Sequence, residues 1–170
     1  MSTNAMIYGR QADNTVKGIY LHSDGYLAHA GNILFHHYNT TEKVNQLLNL
    51  GDLSSLGENI EPSELVARFG FSGAYLPVHP SKTDKISKEW LTLTDEERER
   101  LQKENRDGSN TVAYARDRDE DLEIEIIPCV DDLKSRQSYQ EYEYYWDGEN
   151  WYYRRNRKFK KITEDMFKEI

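Results

Sequence analysis

One cysteine, Cys129, stands in a chain of 170 residues. That excludes an internal disulfide and any zinc site built from several thiolates. A chain with no disulfide framework suits a reducing compartment. No stretch approaches the ~20 consecutive apolar residues of a membrane span. The opening MSTNAMIYGR lacks the apolar core of a secretory signal. Also missing are the phosphate loops GxGxxG and GxxxxGK[ST], the nucleophile elbow GxSxG and the zinc motif HExxH. No cofactor and no metal is therefore expected, and no catalytic residue is assigned.

Hydrophobic residues make up 37% of the chain and charged residues 31%. Mean hydropathy is -0.88. These values describe a small core under a heavily solvated surface. Twelve tyrosines raise the aromatic share to 12%, which argues against a wholly disordered chain. Net charge is -8, unevenly placed. Residues 151–170 hold seven Lys/Arg against three Asp/Glu, leaving 15 bases against 27 acids in residues 1–150. So acidic a body argues against direct nucleic-acid binding through general phosphate contacts. It suits a basic surface on another protein.

The length fits a single domain, 1–170, in which 58–109 reads as a variable insertion. Segments 5–10 and 16–22 are short and rich in β-formers, with Asp13-Asn14 between them, which predicts a hairpin. Apolar residues at three- and four-residue spacing predict helices over 27–38 and 41–50, the second capped by Thr40 or Thr41. PSELVARFG predicts a short helix ending at Gly70, and 71–80 a short strand or loop. Thr94 and Glu97 form a capping box that opens a charged surface helix over 94–105. That helix belongs to an excursion, 82–108, with little apolar area. Segments 110–116, 122–127, 139–146 and 150–155 read as strands, the last two joined at Asp147-Gly148. A final helical turn follows Thr163. The fold class is α+β: one antiparallel sheet of about five or six strands, two main helices on one face, and an inserted charged helix.

Two loops carry the polar residues that chemistry would need. After the second strand come His22, Asp24 and Tyr26, where the carboxylate could set the imidazole tautomer or cap the next helix. In the second, Tyr114, Arg116 and Arg118 would share one strand face, suited to a planar or phosphorylated ligand. Four acids nearby allow a plain salt-bridged edge instead. Adjacent His36 and His37 point about 100° apart on a helix and cannot chelate together. One is expected at the core edge and one exposed. Cys129 reads as a small hydrophobe. The basic run 154–161, beside WYY, reads as neutralising the acidic body or guarding a sheet edge.

These motifs occur in a recognisable order: MST, IYxHxDGY (19–26), Gly31 with Leu34, HYNT (37–40), EKV (42–44), LxxLGDLSSLG (47–57), YxRDRxE (114–120) and WYY. The set resembles a family of small proteins encoded by phages and prophages, over residues 1–57 and about 110–155. Members often carry Arg where this chain has Asn4, and CHWDGYP where it has LHSDGYL, so a stacking role for that Trp does not carry over. The resemblance implies an accessory protein acting in the cytoplasm of a bacterial host, of a kind that is often counter-defence and binds rather than catalyses.

Three functions remain. The first is sequestration, without turnover, of a small anionic nucleotide-like ligand by His22, Asp24, Tyr26, Tyr114, Arg116 and Arg118. The second is an acidic inhibitor occupying the nucleic-acid site of a host defence protein, in the manner of an anti-CRISPR. It rests on 14 acids against six bases in 95–132. The third is a phosphodiester hydrolase using His22 and Asp24. The partner is accordingly the small ligand or a basic host protein surface, not a membrane, with a second copy of the chain as a further candidate.

Overall fold

The computed structural model describes residues 3–137 and 140–168. Its strands are β1 (Ala5–Arg10), β2 (Val16–Leu21), β3 (Leu53–Ser55), β4 (Val112–Ala113), β5 (Glu125–Ile127), β6 (Tyr142–Trp146), β7 (Trp151–Arg154) and β8 (Lys160–Lys161). Its helices are α1 (Asn32–His37), α2 (Thr41–Leu48), α3 (Glu64–Phe69), α4 (Lys88–Thr92), α5 (Asp95–Arg106), α6 (Tyr114–Arg118), α7 (Val130–Ser135) and α8 (Asp165–Lys168). The class is α+β as expected. The strands form one sheet in the order β4-β3-β2-β1-β6-β7-β8, with β5 pairing β2 as well. Eight strands exceed the expected five or six because β3 and β8, with three and two residues, are too short to show alternation. Nor is the sheet wholly antiparallel: β1–β6 and β2–β3 run parallel.

The alternation of β1 distributes its side chains to both faces. Ala5 and Ile7 join the main core, where a π-helical turn at Leu27–Gly31, α1 and α2 cover the sheet. The expected 27–38 helix is thus in two parts. α2 follows expectation: Thr40 accepts a hydrogen bond from the Lys43 N–H, and Val44, Leu47 and Leu48 are buried. Tyr8 points to the opposite face and packs with Val16, Ile127, Leu133 and Tyr145. Its cross-strand partner is Gly18. A Cβ there would lie 2.5 Å from the Tyr8 ring, so glycine is what lets this large phenol lie flat on the sheet.

Several local expectations are corrected. Segment 110–116 is a strand only at Val112–Ala113 and then turns into α6. The turn forms because the Asp117 carboxylate accepts the Ala113 N–H. Segment 71–80 begins with a 3-10 turn, Phe71–Tyr75. Tyr139 lies outside the described residues, so the strand expected over 139–146 is seen as β6. His36 and His37 are both exposed, facing Glu164 and Glu58 respectively.

The excursion is not the apolar-poor arm that its sequence implies. α5 has the predicted capping box. Its inner face, however, buries Arg98, Leu101 and Gln102. Leu101, Leu65 and Trp90 make a separate apolar cluster, with Phe69, Leu76, Ile86 and Leu93 around it. Arg98 donates to the carbonyls of Val78, Trp90 and Leu93, and pairs with Asp95. Gln102 donates to the carbonyls of Gly73 and Leu76. Polar side chains therefore organise the loop that few apolar residues could hold. The segment leaves and rejoins the sheet at a narrow neck, where the Asn59 N–H donates to Ser109 and the Thr111 N–H donates to Asn59. Removing 82–108 alone would strip Trp90 and Leu101 from Leu65. Removing 61–108 with a Gly-Ser linker should instead leave one cooperative thermal transition, because the second cluster departs whole. A broad, non-cooperative melt would show that the sheet depends on it.

Candidate functional site

The two loops singled out in the sequence end on neighbouring strands. Leu21 pairs with Leu53, and Leu53 with Ala113. Their backbones are therefore two strand spacings apart, roughly 10 Å. Their side chains have other partners. The His22 Nδ1 lies 3.3 Å from the Tyr20 hydroxyl, not on Asp24. Asp24 adopts a left-handed φ of 56° and the next residue, Gly25, packs against the first strand. A Cβ at Gly25 would lie 2.7 Å from that of Ala5. The Gly25 carbonyl also accepts the buried Tyr144 hydroxyl. The HSDGY segment is thus explained by chain geometry. Tyr26 lies against His29, with 5.9 Å between ring centroids.

Because 114–118 is a helical turn, Tyr114 and Arg118 meet at i,i+4 spacing while Arg116 points elsewhere. The Arg118 guanidinium is sandwiched between the Phe71 and Tyr114 rings, 4.3 and 4.9 Å from their centroids. Arg116 binds both oxygens of Asp117 and donates to the carbonyls of Ile60 and Thr111. Arg116→Ala would leave the nearly buried Asp117 carboxylate without its counter-ion and the carbonyls of Ile60 and Thr111 without this donor. A stability loss of about 2–3 kcal/mol is expected, read as a lower thermal midpoint. An unchanged midpoint would show that these contacts are dispensable.

A well-formed concavity lies on the Tyr8 face of the sheet, and none of the six residues above lines it. It is an open cleft of about 760 Å³. Its floor is Tyr145 on β6 and Tyr152 on β7. One wall is α7, contributing Val130, Asp131 and Lys134 behind Cys129. The other is Lys158 and Phe159, between β7 and β8. Arg10 and Asn14 close the end at the β1–β2 turn. The aromatic rings form a continuous surface: Tyr145 is 6.3 Å from Tyr152 and 5.8 Å from Phe159, centroid to centroid. Arg10 is held by Asn14 through two hydrogen bonds. Among the described residues, Arg10, Lys134 and Lys158 have no carboxylate within ion-pair distance. Asp147, also in the lining, accepts the backbone N–H groups of Glu149 and Asn150 and so builds the hairpin turn.

The walls are fixed by a buried polar network that the sequence reading missed. Glu143 and Arg154 face each other across β6 and β7 and pair at 2.6 Å, with side chains 1% and 4% exposed. The same guanidinium donates to the carbonyls of Leu133, Lys134 and Arg136, at the C-terminal end of α7. A cation there also suits the helix dipole. Arg136 continues the network, donating to the Tyr8 hydroxyl and to Glu125. Hairpin arithmetic could have found the central pair: closing β6 and β7 at Asp147-Gly148 sets Glu143 opposite Arg154.

Burial pushes the Tyr145 hydroxyl up to about 12. Burial, then the Asp147 carboxylate, raises Tyr152. Burial raises Tyr8 further, with the Glu143 charge adding to it. A phenol raised above its unfolded value of 10.0 stabilises the fold fully below that pH and progressively less as pH rises toward its folded value. Base unfolding should therefore begin above about pH 10. In a titration followed by tyrosinate absorbance, these hydroxyls should ionise together with loss of the near-ultraviolet circular dichroism. Full ionisation with that signal intact would contradict their burial.

Among the described residues, no three His, Cys, Asp or Glu side chains gather as metal ligands. No described helix is long and apolar enough to cross a membrane. No protein-family model, curated protein or solved structure matches the chain.

Proposed function

We propose that this protein binds and sequesters a small anionic, nucleotide-like ligand, without turning it over, in the cleft between α7 and the β7–β8 loop. One observation carries the reading: a single cleft combines three aromatic rings with three cations that have no internal counter-ion. A base or similar flat ring gains stacking and apolar contact on Tyr145, Tyr152 and Phe159. Its anionic groups gain charge-assisted hydrogen bonds from Arg10, Lys134 and Lys158. The volume falls within the range of small-molecule sites. This keeps the ligand class expected from the sequence and moves the site away from Arg116 and Arg118, whose guanidinium groups are occupied. The resemblance to phage proteins adds a setting, counter-defence in the bacterial cytoplasm.

The test is to express the protein in bacteria, denature it after purification and identify the released small molecules by mass spectrometry. An intact phosphate- or carboxylate-bearing compound with a flat ring system is expected. Release of cleavage products, lost on His22→Ala, would replace sequestration by hydrolysis.

A further inference from the structure

The basic run over 154–161 makes few direct ion pairs with the acidic body. Among its residues, Arg154 alone pairs with a carboxylate in the described structure. Arg155, Arg157, Lys158, Lys160 and Lys161 have none within ion-pair distance. They are not scattered. The loop turns at Asn156, whose φ is 57°, and sends Phe159 to the Tyr8 face while other residues line a cleft beside Leu27, Tyr142 and Tyr153. Arg155, Arg157 and Lys160 there surround a second cleft of about 430 Å³, over Tyr142 and Tyr153. Five of the side chains lining it are cationic and none is acidic. In a chain with net charge -8, a cleft lined by five cations and no carboxylate stands out from the rest of the surface.

We propose that this second cleft is a binding site for a compact oligophosphate anion, held by Arg155, Arg157 and Lys160. Like charges gathered without counter-ions repel one another, and a multivalent anion relieves that repulsion. Arg155 is already placed: its guanidinium lies over the Tyr142 ring, 5.1 Å from the centroid. A cation on a ring face uses the face of the guanidinium and leaves its in-plane N–H donors free, the geometry that phosphate oxygens accept. The Arg155 guanidinium thus already occupies a face of the Tyr142 ring that a base would stack on, and the Tyr144 ring lies parallel at 6.3 Å between centroids. That favours phosphate over a nucleobase as the occupant. A long nucleic-acid strand is disfavoured, because it would extend from this patch past a body carrying 27 acids against 15 bases. The site is separate from the aromatic cleft, although Arg154 and Lys158 border both.

Titration of the full chain with inorganic tripolyphosphate, followed by calorimetry, tests the proposal. Saturable binding of one anion is expected. Arg155→Gln and Lys160→Gln should each weaken it about tenfold or more, and Arg157→Gln similarly, since each removes a charge-assisted contact. These side chains are exposed, so all three variants should keep the wild-type melt. Lys134→Gln, which alters only the aromatic cleft, should leave the binding unchanged. Absence of saturable binding, or equal binding by the Arg155→Gln/Lys160→Gln double variant, overturns the proposal. So does an equal loss in Lys134→Gln, which would put the anion in the first cleft. Tighter binding of a short single-stranded DNA through the same three residues would replace the oligophosphate by nucleic acid. Failure of this site leaves the first cleft's reading standing, since that reading is tested separately by the ligand released from the purified protein.

Discussion

Arg154→Leu should lower the thermal midpoint by roughly 10 °C or more, because it breaks a buried ion pair from one side. The substitution leaves Glu143 with a side chain 1% exposed and no counter-ion. Breaking a buried pair from one side costs about 3–5 kcal/mol. It also removes the donor from the carbonyls of Leu133, Lys134 and Arg136, releasing the end of α7. Glu143→Leu/Arg154→Leu should recover much of the loss, because the isolated buried charge is gone. Equal midpoints for the single and double variants would show that the pair does not govern stability. Since α7 is one wall of the aromatic cleft, ligand retention should stay impaired in the double variant even where stability returns.

The second large effect concerns binding alone. Arg10→Ala with Lys134→Ala should reduce the affinity for the sequestered ligand by at least a hundredfold. Each lost charge-assisted contact is worth about 1.5–3 kcal/mol, or tenfold to more than a hundredfold. Both side chains are exposed and lack ion-pair partners, so the melt should stay within about 0.5 kcal/mol of wild type. Tyr152→Ala should also weaken binding by removing part of the aromatic floor. Undiminished retention in the Arg10/Lys134 variant would remove the anionic half of the site.

What could be read in the sequence was local. The β1–β2 hairpin, α2 with its Thr40 cap, the Thr94–Glu97 box of α5 and the Asp147-Gly148 turn are each written within a few residues. The short strands β3 and β8 carry too few positions for alternation to show, while β4 and β5 fall inside expected strands that prove shorter. α7 was missed because VDDLKS offers one buried leucine and no side-chain cap. The parallel pairing of β1 with β6 joins segments over a hundred residues apart, beyond any periodicity. The candidate site failed to be legible for the same reason: Arg10, Lys134, Tyr145, Tyr152 and Phe159 come from five separate parts of the fold. The polar motifs that stood out are instead used by the backbone. Asp24 and Gly25 make a turn against β1, and Arg116 holds two carbonyls. Arg154 looked like one cation in a basic run, yet it is the most deeply buried of them.

The most direct measurement is a crystal structure of the protein with the ligand recovered from bacterial expression. A flat ring in contact with Tyr152 or Phe159, with its anionic group within hydrogen-bond distance of Arg10 or Lys134, is the predicted result. Ligand density beside His22, Arg116 and Arg118, with the aromatic cleft empty, would contradict it.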